Sequence, residues 1–288
     1  MYKKIIFILA SITLFSGCAL FSPAKKHKTF DHFVTEPKEM IGYGADTFWL
    51  YVDAESLAEE MVADGVNVTH IEIFNCSPSK EISQSADPSP HGYWTIDKFD
   101  TQLKVPLDNF LTVMYNHKIT VGVTIFGGHD MSQVTHSSLL TILDFLNARK
   151  NGSTGIILNL AAEPGPNSPQ YIFDHLTTVM EENWTGMKAW NYGTRPATAP
   201  GGYWIEYHPQ LLEDIGYPNR NSILLTDSYL WFQLNIDNTL QSKIDPAKIK
   251  PYIQKVKNNG NGFIYYGQRF TGWDIDTVGI KAIGSYNQ

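Results

Sequence analysis

The sequence predicts an α/β protein with one folded domain, a closed (β/α)8 TIM barrel. Three observations point there. Short β-rich runs alternate with amphipathic helical stretches across residues 38–288, and eight such units over about 250 residues are the arithmetic of this barrel. Several runs (VTHIEIF, TVGVTIF, GIILNL, SILLT) are apolar on both faces, as strands of a helix-covered parallel sheet must be. No Gly-rich phosphate turn follows the first run, which argues against an open doubly wound sheet.

Taken in order, the first strand is predicted over 40–44 and the first helix over 54–64, where Asp64-Gly65 supplies the stop signal. The second strand follows at 68–74, a helix at 107–116, and the third strand at 120–126. A helix over 137–149 leads to the fourth strand at 155–160, and one over 169–183 to the fifth at 187–192. Residues 194–202 are Pro- and Gly-rich and too short for a helix, so a loop is expected before the sixth strand at 203–207. The seventh strand is predicted at 222–226, a last helix at 246–258 ending at Asn259-Gly260, and the eighth strand at 262–266.

Ahead of the barrel, Lys3 and Lys4 precede an apolar stretch over 5–15, then Ser16-Gly17-Cys18. That stretch is shorter than the roughly 20 residues a spanning helix needs, so it reads as an export signal. Leu14-Phe15-Ser16-Gly17-Cys18 resembles the bacterial lipobox. The resemblance implies a signal peptide over 1–17, a lipidated Cys18, a tether over 18–37 and the barrel over 38–288. The protein is then expected to be held on a bilayer by lipid rather than to span it. Ala19 rather than Asp after the cysteine favours the outer membrane of a two-membrane cell over the inner.

Composition bounds the chemistry. Lys and Arg number 22 against 29 Asp and Glu, a net charge of −7, which argues against non-specific nucleic-acid binding. The chain is 43% hydrophobic and only 18% charged, too apolar for disorder. Phe, Tyr and Trp (15, 15 and 7) are many for so few charges and suit a protein that handles a ligand.

In a barrel of this kind the active site lies at the carboxyl ends of the strands. Those ends carry Asp46, Asn75, His129 with Asp130, Glu163, Arg195, Glu206 with His208, Asp227 and Gln268. Each alone reads as a loop residue; together they predict a polar pocket. Trp94, Trp190 and Tyr203 are among the aromatics in the same stretches. A ring face on a sugar's C–H face, beside groups that take its hydroxyls, is how carbohydrate sites are built. About half of the aromatics are expected instead to fill gaps between barrel and helices. His129, Asp130, Glu163, His208 and Asp227 could converge on a metal, but no His-x-His or His-x-x-x-His pair or Cys cluster occurs. No metal and no cofactor are expected, and no Gly-x-Ser-x-Gly elbow suggests a serine hydrolase.

Ala63-Asp64-Gly65-Val66-Asn67-Val68-Thr69-His70-Ile71-Glu72, the passage 107–126, and Asn159-Leu160-Ala161-Ala162-Glu163-Pro164 are similar to the second, third and fourth strand regions of clan A glycoside hydrolases, the cellulase-like TIM-barrel glycosidases. The resemblance covers residues 40–170 and implies a retaining hydrolase of O-glycosidic bonds, with Glu163 as general acid/base. Ala162 stands where that family has Asn. The family's nucleophile is a Glu ending the seventh strand, and that position here is Asp227, with Glu206 the next candidate. Asp46, Asn75, Trp94, His129, Trp190, Arg195, Tyr203, Glu206, His208 and Gln268 are then expected to bind a carbohydrate. A second reading makes the barrel an inactive, glycan-binding surface lipoprotein. It differs from the first in whether Glu163 faces a carboxylate partner.

Overall fold

The computed structural model describes residues 29–44, 48–50, 52–74, 99–126, 134–149, 154–161, 170–191, 203–207, 222–225, 246–266 and 277–287. Eight parallel strands close into a barrel in chain order. They are β1 Ile41–Gly44, β2 Val68–Phe74, β3 Thr120–Phe126, β4 Ile156–Ala161, β5 Met187–Asn191, β6 Tyr203–Tyr207, β7 Ser222–Leu225 and β8 Gly262–Tyr266. Around them lie α1 Ala54–Asp64, α2 Lys104–Asn116, α3 His136–Ala148, α4 Gln170–Asn183, α5 Pro246–Asn258 and α6 Thr277–Gly284.

The register supports closure independently of the element list. Gly42 of β1 pairs with Val68 of β2, and Val68 with Thr120 of β3. Carrying the offsets on through β4, β5, β6 and β7 reaches β8 at a level eight residues before Ile264, the residue that Gly42 meets directly across the β1–β8 seam. That stagger is the shear of 8 that defines a TIM barrel.

Two helix differences from expectation have local causes. α2 begins at Lys104 rather than 107, behind a π-helical turn over Phe99–Leu103 in which Phe99 and Leu103 are buried. α6 is not among the expected helices; it is eight residues long with Gly279 inside it and Gly284 at its end. Gly284 lies so close to the Asp64 carbonyl that no Cβ would fit. Tertiary contact overrides the poor helix propensity of glycine there. Elsewhere the local signals are obeyed. The Asp53 carboxylate accepts from the backbone N–H groups of Glu55 and Ser56 at 3.0 and 3.1 Å, and Gly65 closes α1 at φ +77°.

The strands divide the core into two layers. On the outer face Ile71, Ile73, Val123, Ile125, Leu158 and Leu160 join Leu57, Met61, Leu107, Leu139, Leu143 and Leu176 from the helices in one buried cluster. Burial of each such side chain stabilises by about 1.5–3 kcal/mol. On the inner face Val68, Ile157, Ala189, Ile223 and Ile264 fill the lower lumen, with Val34 and Met40 beneath them. Gly42 keeps this layer packed: a Cβ there would stand 2.6 Å from Ile264 Cγ1.

The segment ahead of β1 closes the amino-terminal mouth. The Val34 N–H donates to Thr120 Oγ1 at 2.9 Å, and the Phe30 N–H to the His117 carbonyl at 3.1 Å. Asn67 fastens its end: Oδ1 accepts from the Ile41 N–H and Nδ2 donates to the Glu39 carbonyl, both at 2.9 Å. Lys257 Nζ donates to the carbonyls of Lys38 and Met40.

Candidate active site

With the amino-terminal mouth closed by the strap ahead of β1, a site in this barrel is sought at the carboxyl ends of the strands. The lumen changes character on the way up. Inward positions of β2 run Val68, His70, Glu72; those of β4 run Ile157, Asn159, Ala161; those of β5 run Met187, Ala189, Asn191. Thus apolar residues below give way to His70, Glu72, Thr124, Asn159 and Asn191, all buried.

Glu72, Thr124 and Asn159 are Cα partners in one row across β2, β3 and β4. Within it Asn159 Nδ2 donates to Thr124 Oγ1 at 3.3 Å, and Thr124 Oγ1 lies 3.1 Å from His70 Nε2. Gly122 makes space for the imidazole, since a Cβ there would stand 2.9 Å from His70 Cδ2. Beside this row the Trp49 indole N–H donates to the Glu72 carbonyl at 2.7 Å. Buried polar side chains are costly unless bonded, and this tier stands out inside an otherwise apolar barrel. Above it, Phe74 and Phe126 pair in register and stack with centroids 5.7 Å apart.

Of the residues expected at the site, Trp190 and Tyr203 are the two whose side chains the structure describes, and it corrects both. Lumen-facing positions of β5 are the odd ones, so Trp190 points outward; its ring meets Phe173 of α4 at 5.0 Å and Tyr203 at 5.8 Å, edge to face. Tyr203 opens β6 at the amino-terminal end of the barrel, buried beneath the Lys188 ammonium 5.4 Å from its ring. Burial, with the Glu181 carboxylate beside it, pushes the Tyr203 hydroxyl well above its ordinary pKa. Both rings lie on the outer face of the sheet, against α4 and away from the lumen.

Glu206 stands in β6 level with Asn191 of β5 and Ile223 of β7. Asp46, Asn75, Trp94, His129, Glu163, Arg195, His208, Asp227, Gln268 and Cys18 lie outside the described residues. Among the described residues no group of three or more His, Cys, Asp or Glu gathers as a metal centre, and no helix is long and apolar enough to cross a membrane. His70, Glu72, Thr124, Asn159 and Asn191 are inward polar residues that the sequence analysis does not single out. Their signal was present: polar residues at alternate positions of strands otherwise apolar on both faces.

No protein-family profile and no curated protein sequence matches the chain. Solved structures do. A family 5 glycoside hydrolase from Bacteroides vulgatus is similar with a TM-score of 0.51 at 12% identity, over 83% of this chain and 64% of that one. A family 5 mannosidase from Rhizomucor miehei gives a TM-score of 0.49 at 14% identity, over 89% and 96%. The chain folds as the (β/α)8 barrel that family 5 glycoside hydrolases also adopt.

Proposed function

We propose that the protein is a glycoside hydrolase that cleaves O-glycosidic bonds of a poly- or oligosaccharide by a two-carboxylate, retaining mechanism. The observation that carries this reading is the polar tier Glu72–Thr124–Asn159 beneath the carboxyl ends of β2, β3 and β4. Its support in sequence is Glu163, two residues beyond the end of β4 in Asn159-Leu160-Ala161-Ala162-Glu163-Pro164.

In the proposed reaction the Glu163 carboxyl gives its proton to the leaving oxygen while a second carboxylate forms a bond to the anomeric carbon. Water then displaces that carboxylate, its proton passing to Glu163, and the two carboxyl groups need a separation of about 5–5.5 Å. Asp227 and Glu206 are the candidates for the second role. Lipid on Cys18 would hold the enzyme at the cell envelope, within reach of large glycans. The test is kinetic: Asp227→Asn and Glu206→Gln are assayed on an aryl glycoside beside the parent. The proposal expects one variant to lose activity by about 10³-fold or more while the other keeps most of it. Equal, near-parental rates in both would overturn the two-carboxylate assignment.

A further inference from the structure

Outside the barrel mouth, two imidazoles meet on the surface between neighbouring helices. His136 is the first residue of α3 and His175 the sixth of α4, and both are exposed. His136 Nδ1 and His175 Nε2 lie 3.3 Å apart, with ring centroids 5.3 Å apart and planes inclined at 41°.

The helices that present them are firmly seated. Leu139, Ile142 and Leu143 of α3 and Phe173, Leu176 and Val179 of α4 are buried. The start of α3 is further set by a capping box, in which the Ser138 N–H donates to Thr135 Oγ1 at 3.2 Å and the Thr135 N–H to Ser138 Oγ at 3.0 Å. Two nitrogens bound to one zinc ion at 2.0–2.1 Å with a tetrahedral angle are about 3.3–3.4 Å apart. The observed spacing matches that value; it is also that of a ring-to-ring N–H···N hydrogen bond, which a bound cation would replace. Imidazole is a borderline ligand that favours zinc, nickel and copper over the oxygen-seeking magnesium and calcium.

We propose that His136 and His175 form a surface site for a borderline divalent cation, with Zn²⁺ as the probe, that links α3 to α4. Two protein ligands leave two tetrahedral positions for water or an incoming donor, so the site is an open one. Because the cation binds the folded arrangement of both helices, it stabilises the folded state by mass action.

The experiment is calorimetric titration of Zn²⁺ into the full chain, with thermal melts at saturating Zn²⁺, Mg²⁺ and Ca²⁺. His136→Ala and His175→Ala are compared with His32→Ala, which removes an exposed histidine of the strap. The expected result is a Zn²⁺ equivalent whose affinity falls at least tenfold in each of the first two variants and not in the third. The melting temperature should rise with Zn²⁺ alone and only where both histidines remain. Metal-free melts establish that each variant is folded. No Zn²⁺ binding by the parent, or unchanged affinity in His136→Ala and His175→Ala, would overturn the site.

Discussion

Gly122 carries no side chain because the His70 imidazole occupies the space its Cβ would need. Gly122→Ala should therefore displace His70 from Thr124 and cost about 1–3 kcal/mol, the range for overpacking a close-fitted core, read by urea denaturation. Trp190 makes a different case. Its contacts are with Phe173 of α4 and Tyr203 of β6 on the outer face of the sheet, so Trp190→Ala should lower stability by ~2–4 kcal/mol. Binding of a glycan should be unaffected. A Trp190→Ala protein of parental stability but weakened glycan affinity would put that ring back in the pocket. Trp190 shows what the sequence conceals: an aromatic near a strand end advertises its ring, while only strand parity tells which side of the sheet it faces.

At the scale of elements, the strap ahead of β1 has a pH signature. Burial lowers the Lys257 ammonium from its ordinary 10.5 to about 8, opposed by the nearby Glu39 carboxylate. Between those two values the unfolded chain binds a proton that the folded chain has released, so stability rises with pH across that window. Tyr203 acts in the opposite sense. Its raised pKa means that above its ordinary value of 10.0 the unfolded chain loses the hydroxyl proton first, and stability falls. Denaturation midpoints should therefore climb from about pH 8 to about pH 10 and then turn down. In Lys257→Met the climb should shrink relative to the parent; an identical profile in the two proteins would show that Lys257 does not titrate in this way. The strap itself, including the Asn67 clamp on Ile41 and Glu39, was not legible as a closure, since tether composition says nothing of where a segment docks. The helix punctuation was legible: Gly65 and Gly260 both adopt the left-handed conformation that the Asp64-Gly65 and Asn259-Gly260 signals call for.

For the whole molecule, the fold was legible because doubly apolar strands separated by helical stretches leave few packings other than a helix-covered parallel sheet. The register then shows that this sheet closes with a shear of 8. Four of the eight strands, β2, β3, β6 and β8, match their expected bounds; β1, β5 and β7 are one residue shorter at one end, and β4 is displaced by one residue at both. The site was legible only at the level of which strand ends are polar. The buried tier of His70, Glu72, Thr124, Asn159 and Asn191 escaped because a polar residue inside an apolar run looks like noise until neighbouring strands are set in register. The measurement that tests the account most directly is sugar release from a panel of polysaccharides and aryl glycosides by the full chain, beside Glu163→Gln. The account predicts hydrolysis by the parent, with a fall of about 10²–10⁴-fold in the variant for substrates that need protonation of the leaving group. Silence from the parent with glycan binding retained, or equal rates in parent and variant, would contradict it.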